Sequence, residues 1–378
     1  MKYWRGYLVA AIMFLFGWGL IQFAQSHWVL VDMVYPYVTR LIQNFLANWS
    51  SGLDFCLWQL ILIVMGVVGL ASIVMMVIWK WNFVQWLGWV AAAVSVVFFL
   101  NTAIFGLNNY AGTIADDLRL EVTDYNVSEL ERAGQFYLEQ ANELSAQVSR
   151  DSDGQVQYPA FRDLAVLASQ GFENQTYDHF NPVFAGTTIP VKELGWSNIM
   201  SRRGVTGITV GLTGEAAVNP ETPAVALPFV ICRQMAQRMC IANEQDSTFA
   251  AFLACDANSM PEFRYSGYLM AYNHCYQTLK AMDVSSAQAS ASKLAGKENS
   301  RVKQDLESYN ASFAAEDGLQ IPEKAESEGD LPKRSSVTDL LVSWHIQQYI
   351  LPTQVEEEVM FDPKDETQVD LTGIANAK

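Results

Sequence analysis

"FCLWQLILIVMGVVGLASIVMMVIWKWNFVQWLGWVAAAVSVVFFLNTAIFGL", residues 55–107, carries one charged side chain, Lys80. Crossing the hydrocarbon core of a bilayer takes roughly 20 consecutive apolar residues in a helix. The runs Phe55–Trp79 and Phe83–Leu107 both reach that length, and only Lys80-Trp81-Asn82 joins them. Their spacing predicts a tight helical hairpin through a membrane. A third apolar run, "YLVAAIMFLFGWGLIQFA" at Tyr7–Ala24, follows the basic residues Lys2 and Arg5. Nine of the eleven Trp fall in residues 1–110, many near the run ends, where an indole suits the headgroup zone.

Lys2 and Arg5 place the N-terminus in the cytoplasm by the positive-inside rule, and Lys80 places the hairpin turn there too. Both agree with three spans, near residues 7–24, 55–79 and 83–107. The 27–54 loop and everything after about residue 108 then lie outside the cytoplasm. The first run also fits a cleaved signal peptide, with Ala24-Gln25-Ser26 as a cleavage site.

Charge divides the chain in the same way. Residues 1–110 hold four Lys/Arg and two acids, whereas the whole chain is −16, so residues 111–378 carry −18. An acidic half is well solvated. It argues against a nucleic-acid partner, whose phosphates need clustered Lys and Arg. The five Cys include no C-x-x-C, which speaks against a cysteine zinc site. Cys232 and Cys240 stand eight apart on one predicted helix, about 12 Å along its axis, too far for a disulfide. Cys255 and Cys275 are left as a possible pair; the alternative is five buried thiols.

Residues 111–283 read as a mostly helical domain. "VSELERAGQFYLEQANELSAQVSR" has amphipathic spacing, with Ser128 as N-cap before Glu131. "YPAFRDLAVLASQGF" reads as a second helix. "GVTGITVGLTGEAAVNPETP" reads as a short strand, Ile208–Leu212, and a turn-rich loop. In "LPFVICRQMAQRMCIANEQDSTFAAFLAC", Leu227–Cys255, the apolar residues Ile231, Met235 and Met239 repeat every four. They predict a half-buried helix whose other side, with Arg233, Gln234, Gln237 and Arg238, is solvated. Helices follow at Ser247–Ala254 and over "YSGYLMAYNHCYQTLKAM". Residues 284–335 read as a polar linker with a possible helix at "VKQDLESYNASF". Residues 336–378 read as a C-terminal helix, "SVTDLLVSWHIQQYI", and an acidic tail.

Five blocks in register resemble a bacterial membrane family, the domain-of-unknown-function 3810 proteins. They are "IFGLNNYAGTIADDLRL", "RRGVTGITVGLTGEAAVN", the Leu227–Cys255 stretch, "FRYSGYLMAYNHC" and "SVTDLLVSW". The resemblance implies a mainly α fold, with three N-terminal membrane helices before an extracytoplasmic zincin-like domain that holds a short Gly-rich strand region. It also implies a membrane-anchored zinc metallopeptidase, because the third block carries H-E-x-x-H in the family. In that motif two His hold the metal and the Glu activates a water.

This chain departs from the family at those positions. Arg233 stands at the first His, Gln234 at the Glu and Gln237 at the second His. Asp246 stands at the implied third ligand, Cys240 at a helix-ending Gly, and Gly211 at a Pro. A guanidinium only donates hydrogen bonds, so Arg233 binds no cation. An amide is a poor zinc ligand, and Gln234 accepts no proton as a base. Asp246, helped by Glu244, cannot hold catalytic zinc alone. None of the four His, His27, His179, His274 and His345, has another at i+4; a rebuilt set would need His179, His274 and Asp246. An Arg at a lost metal site would offset buried carboxylate charge, so Arg233 is expected to pair with Asp246 or Glu244.

The reading is a catalytically inactive, multi-pass membrane pseudopeptidase that binds a protein or peptide at the cell envelope, without a cofactor. Its partner would be an envelope protein, a peptide or an active paralogue. Glu215, Tyr265 and Tyr268 are candidates for its groove, although tyrosines at helix spacing also serve plain packing. The alternatives are an active hydrolase with a relocated metal and a structural membrane subunit.

Overall fold

The computed structural model describes residues 4–179, 181–313 and 332–350. The acidic tail and the middle of the expected linker, 314–331, lie outside the described residues. Four long helices open the chain: α1 (Arg5–Ser26), α2 (Trp28–Ser50), α3 (Leu57–Ile78) and α4 (Phe83–Ile104). Of these, α1, α3 and α4 are long and apolar enough to cross a membrane.

The expected 27–54 loop is mostly α2. Its apolar residues recur at helical spacing, but Asp32, Pro36 and Arg40 interrupt any continuous apolar run. The expected hairpin also differs in its pairing. α3 and α4 meet near their turn, where Trp86 Nε1 donates to Ser72 Oγ at 3.1 Å. Along its length α4 packs on α1, and the two run parallel. A Cβ on Gly6 would lie 2.5 Å from the Gly88 carbonyl carbon, and one on Gly17 would strike the Phe98 ring at 2.6 Å. Small residues on both helices permit that approach, as is usual for helices in lipid. The apolar part of α3 has no buried residue.

A 3-10 turn, Gly106–Tyr110, leads from α4 into the helical domain. There follow α5 (Ile114–Asp117), α6 (Val127–Leu144), α7 (Phe161–Tyr177), β1 (Lys192–Glu193), α8 (Ser197–Ser201), β2 (Gly207–Val210) and β3 (Glu215–Val218). Then come α9 (Leu227–Arg238), α10 (Glu244–Asp256), α11 (Pro261–Ala281), α12 (Ser285–Ala295), α13 (Ser300–Asn310) and α14 (Val337–His345). The cap of α6 is Asn126 and not Ser128: its side chain accepts from Ser128 N and Glu129 N, and Glu129 returns the bond to the Asn126 N–H. An Asx side chain two residues earlier reaches both orphan amides.

The sheet has the order β1-β3-β2, with β1 parallel and β2 antiparallel to β3. The strand expected over Ile208–Leu212 ends at Val210, and Gly214, at φ 65°, turns the chain into β3. β3 reads as loop in sequence because "EAAV" has short side chains and no alternation. In place it is wholly buried.

α9, α10 and α11 form the centre of the core, with α6 and α7 outside them. α7 touches α10 backbone to backbone, since a Cβ on Gly171 would sit 1.9 Å from the Ala254 oxygen. The described part of the expected linker is not a linker. Residues 285–310 form α12 and α13, which bury Ala287, Ala291, Leu294, Val302 and Leu306. Alanine is the best helix former and lets helices approach closely, so a Ser/Ala-rich tract is compatible with a packed helix. Asp305 on α13 accepts from Arg150 Nη2 at 2.7 Å and from the Tyr265 hydroxyl at 2.5 Å. All five Cys are free and buried, and Cys255 has Cys232 as its thiol neighbour.

Candidate functional site

α9 begins with Pro228 in its first turn, where a missing N–H costs nothing. It ends at Met239 with paired bonds from Cys240 N to Gln237 O (3.0 Å) and Ile241 N to Ala236 O (3.2 Å). These make a Schellman closure. The expected solvated side of α9 is absent: Arg233, Gln234 and Arg238 are all buried, and only Gln237 is partly open. The sheet and α10 cover that side.

Burial of polar side chains demands partners, and each is found nearby. Arg233 Nη2 donates to Thr206 Oγ1 at 2.7 Å, and its Nη1 lies 4.0 Å from Glu244 Oε1. Gln234 Oε1 accepts from Thr209 Oγ1 at 2.9 Å. Gln237 Nε2 donates to Ser247 Oγ at 3.4 Å. Arg238 donates to the carbonyls of Thr187 and Ile189. Burial lowers its pKa to about 10, still charged at neutral pH.

Asp246 is 3% exposed, and its partner is Arg334, not Arg233. Asp246 and Glu244 are two residues apart, so they project about 200° apart around α10. Glu244 faces Arg233, while Asp246 faces the other way. Arg334 also donates to Asn109 O and Ala111 O, each at 3.0 Å. It thereby ties the chain before α14 to the segment that leaves α4. Burial pushes the Asp246 carboxyl up to about 6, against the pull of Arg334 and of the Ile114 N–H. The expected Arg233 pairing is thus limited to Glu244, and a second arginine offsets the Asp246 charge. In sequence Arg334 is visible only as part of the basic pair in "LPKRSS".

His274 lines a cleft of about 680 Å³ with Gln245, Thr278, Lys333, Arg334 and Asp339. Burial, then the Arg233 charge, hold its pKa down to about 4, so the ring is neutral at pH 7. His179 and Asp256 line a separate cleft of about 300 Å³. Asp246 lines a third, of about 380 Å³, beside Asp32, Arg40 and Asp117. The set His179, His274 and Asp246 is therefore not assembled. Among the described residues no three His, Cys, Asp or Glu lie where they could hold a metal ion. The zinc that the family resemblance implies does not fit a frame of one guanidinium and two amides.

The other candidates sit elsewhere. Glu215 accepts from Leu57 N (2.8 Å) and Trp58 N (3.0 Å) at the start of α3, and from Lys192 Nζ at 2.7 Å. A carboxylate there satisfies orphan amides and the helix dipole. Tyr265 bonds Asp305, and the Tyr268 hydroxyl bonds Asp256 at 2.5 Å. Arg233, Gln234, Gln237 and Glu244 come together; Glu215, Tyr265 and Tyr268 each join a different polar cluster.

The fold and this frame define a mainly helical protein with three membrane-length helices and a buried polar helix pair at its core. A family model described as protein of unknown function (DUF3810) matches residues 32–325, and the chain belongs to that family. No curated protein and no solved structure matches it.

Proposed function

We propose that this protein is a membrane-anchored, extracytoplasmic pseudopeptidase that binds a peptide segment and does not cut it. The observation that carries the reading is the bonding of the α9 frame. Arg233, Gln234 and Gln237 spend their polar groups on Thr206, Thr209 and Ser247, and Arg334 neutralises Asp246. Arg233, Gln234 and Gln237 take no proton from water near neutral pH, and the set does not offer zinc three anionic or imidazole donors. The neighbouring cleft of about 680 Å³ has the size of a small-ligand or peptide subsite. It mixes neutral donors and acceptors, from Thr123, Tyr125, Gln245 and Thr278, with Lys333 and Asp339. That suits an extended backbone flanked by polar side chains.

The test uses detergent-purified full-length protein, prepared without chelator, and a mixed peptide library analysed by mass spectrometry. Retained peptides should emerge uncut, and Thr278→Trp, which fills the cleft, should abolish their retention. Cleavage that disappears with Asp246→Ala, or the absence of any retained peptide, would overturn the reading.

A further inference from the structure

α2 has two unlike faces. One faces protein: Val31, Thr39, Gln43, Ala47 and Ser50 are buried, Asp32 accepts from Gly112 N at 2.7 Å, and Arg40 donates to Met239 O at 3.1 Å. The other face is open and apolar. Val34, Tyr37, Leu41, Phe45 and Trp49 are 53–72% exposed and follow one another at helical spacing. Only Asn44 and Asn48 among the exposed residues of α2 are polar, and none is charged. An uncharged apolar stripe several turns long is far more than scattered surface hydrophobics, and it marks an interaction surface.

The chain path says what covers it. α2 starts one residue after α1, at His27, where the backbone turns away from helical geometry. Near that joint the Tyr35 hydroxyl donates to the carbonyls of Thr102 and Ala103, at the end of α4. α1 and α4 run parallel, so both ends lie on one side of the membrane. At the far end Lys192 Nζ donates to Ser50 O (2.8 Å) and Phe55 O (3.0 Å), beside the start of α3. Both ends of a helix about 34 Å long are thus tied to membrane-helix ends on the side that carries the helical domain. Its middle reaches the domain, where Gln43 Nε2 donates to Gly211 O at 2.9 Å.

We propose that α2 lies in the plane of the bilayer surface, with its stripe sunk at the boundary of headgroups and acyl chains. The helical domain then rests on α2 as on a raft. This rests on the reading of α1, α3 and α4 as membrane spans. The partner is the lipid surface itself. Because the stripe bears no charge, insertion needs no anionic lipid; Tyr37 and Trp49 supply the interfacial aromatics.

Site-directed spin labels test this in the full chain, because the native Cys are all buried. Labels at Val34→Cys, Leu41→Cys and Phe45→Cys share one side of α2; Val67→Cys on α3 serves as the control. The protein is placed in phosphatidylcholine vesicles with and without phosphatidylglycerol, and collision with oxygen and with a water-soluble nickel chelate is measured. The three α2 labels should favour oxygen, at one shallow depth in both lipids, and Val67 should be deeper. A steady change in depth from 34 to 45, about 16 Å along the axis, would mean that α2 spans the bilayer. Nickel access at all three would mean a water-exposed face, and access to neither reagent would mean a second protein surface over it; each overturns the proposal. If the Val67 label collides with nickel, the membrane reading itself fails.

Discussion

Cys240 occupies the left-handed region at φ 73°, two residues beyond the end of α9. A side chain there costs about 1–2 kcal/mol, which is why glycine is usual in a Schellman closure. The backbone at Cys240 takes the conformation a Gly would take. The Cys brings a compensating contact, since its Sγ lies 3.4 Å from Thr39 Oγ1 on α2. Relief of strain and loss of packing nearly balance, so Cys240→Gly should change stability by no more than about 1 kcal/mol. Cys240→Val should cost more than about 2 kcal/mol, because a β-branched residue at positive φ is a genuine outlier. Thermal unfolding in detergent distinguishes them; a valine variant that melts with the parent would refute the conformational argument. The same logic explains the buried frame of α9. Arg233 and Gln234 look solvent-facing in a helical projection, and Thr209 on β2 and Thr206 just before it, remote in sequence, help to make their burial tolerable.

At the scale of elements, Glu215 at the start of β3 joins the helical domain to the first turn of the membrane-length helix α3. Its carboxylate holds the first amides of α3 and the Lys192 ammonium in one buried knot, with side-chain exposures of 0% and 12%. Glu215→Gln leaves the lysine without its anion and should destabilise by about 3–5 kcal/mol. Lys192→Met with Glu215→Leu should recover part of that, but not the lost cap on α3. A double-mutant cycle read by thermal melts checks both, and simple additivity would show that the pair does not couple. α6 and α7 were legible in sequence because a hydrophobic period survives in them, and the three membrane-length helices because their apolar runs are unbroken. α2 was hidden because two charges and Pro36 lower its hydropathy, although its stripe is as regular as any. β3 was hidden by short side chains, and α12 by a serine content that resembles a linker. The site was legible as a frame, Arg233 to Gln237 with Glu244 beyond it. Its bonding was not, because Thr206, Thr209 and Arg334 lie 25 to 88 residues away from the positions that they serve in the chain.

The whole molecule carries two opposed sets of proton-linked groups, and their balance should set its response to acid. His345 has its ring buried against Phe136 and Tyr349, with no partner for Nδ1 among the described residues, and burial holds its pKa down to about 4; His274 is held near the same value. The unfolded chain takes those protons near pH 6.5 and the folded one refuses them until about 4, so both groups withdraw stability as pH falls through that window. Asp246 is opposite in sign. Burial raises it to about 6, so the folded state takes its proton before the unfolded chain does near 3.9, and acidification from 6 to 4 adds stability. Because residues 111–378 are strongly acidic, other carboxylates shift the baseline, so the informative quantity is the change in slope. His345→Phe removes one destabilising proton uptake without opening a cavity, and its melting temperature should fall less than the parent's between pH 7 and pH 5. Asp246→Asn removes the compensating uptake and should fall more steeply than the parent, beyond the constant loss from its broken contact with Arg334. Melting curves of the three proteins at pH 7, 6 and 5 decide it. Parallel slopes would mean that neither side chain has a perturbed proton affinity, and that the Asp246–Arg334 contact is open to water.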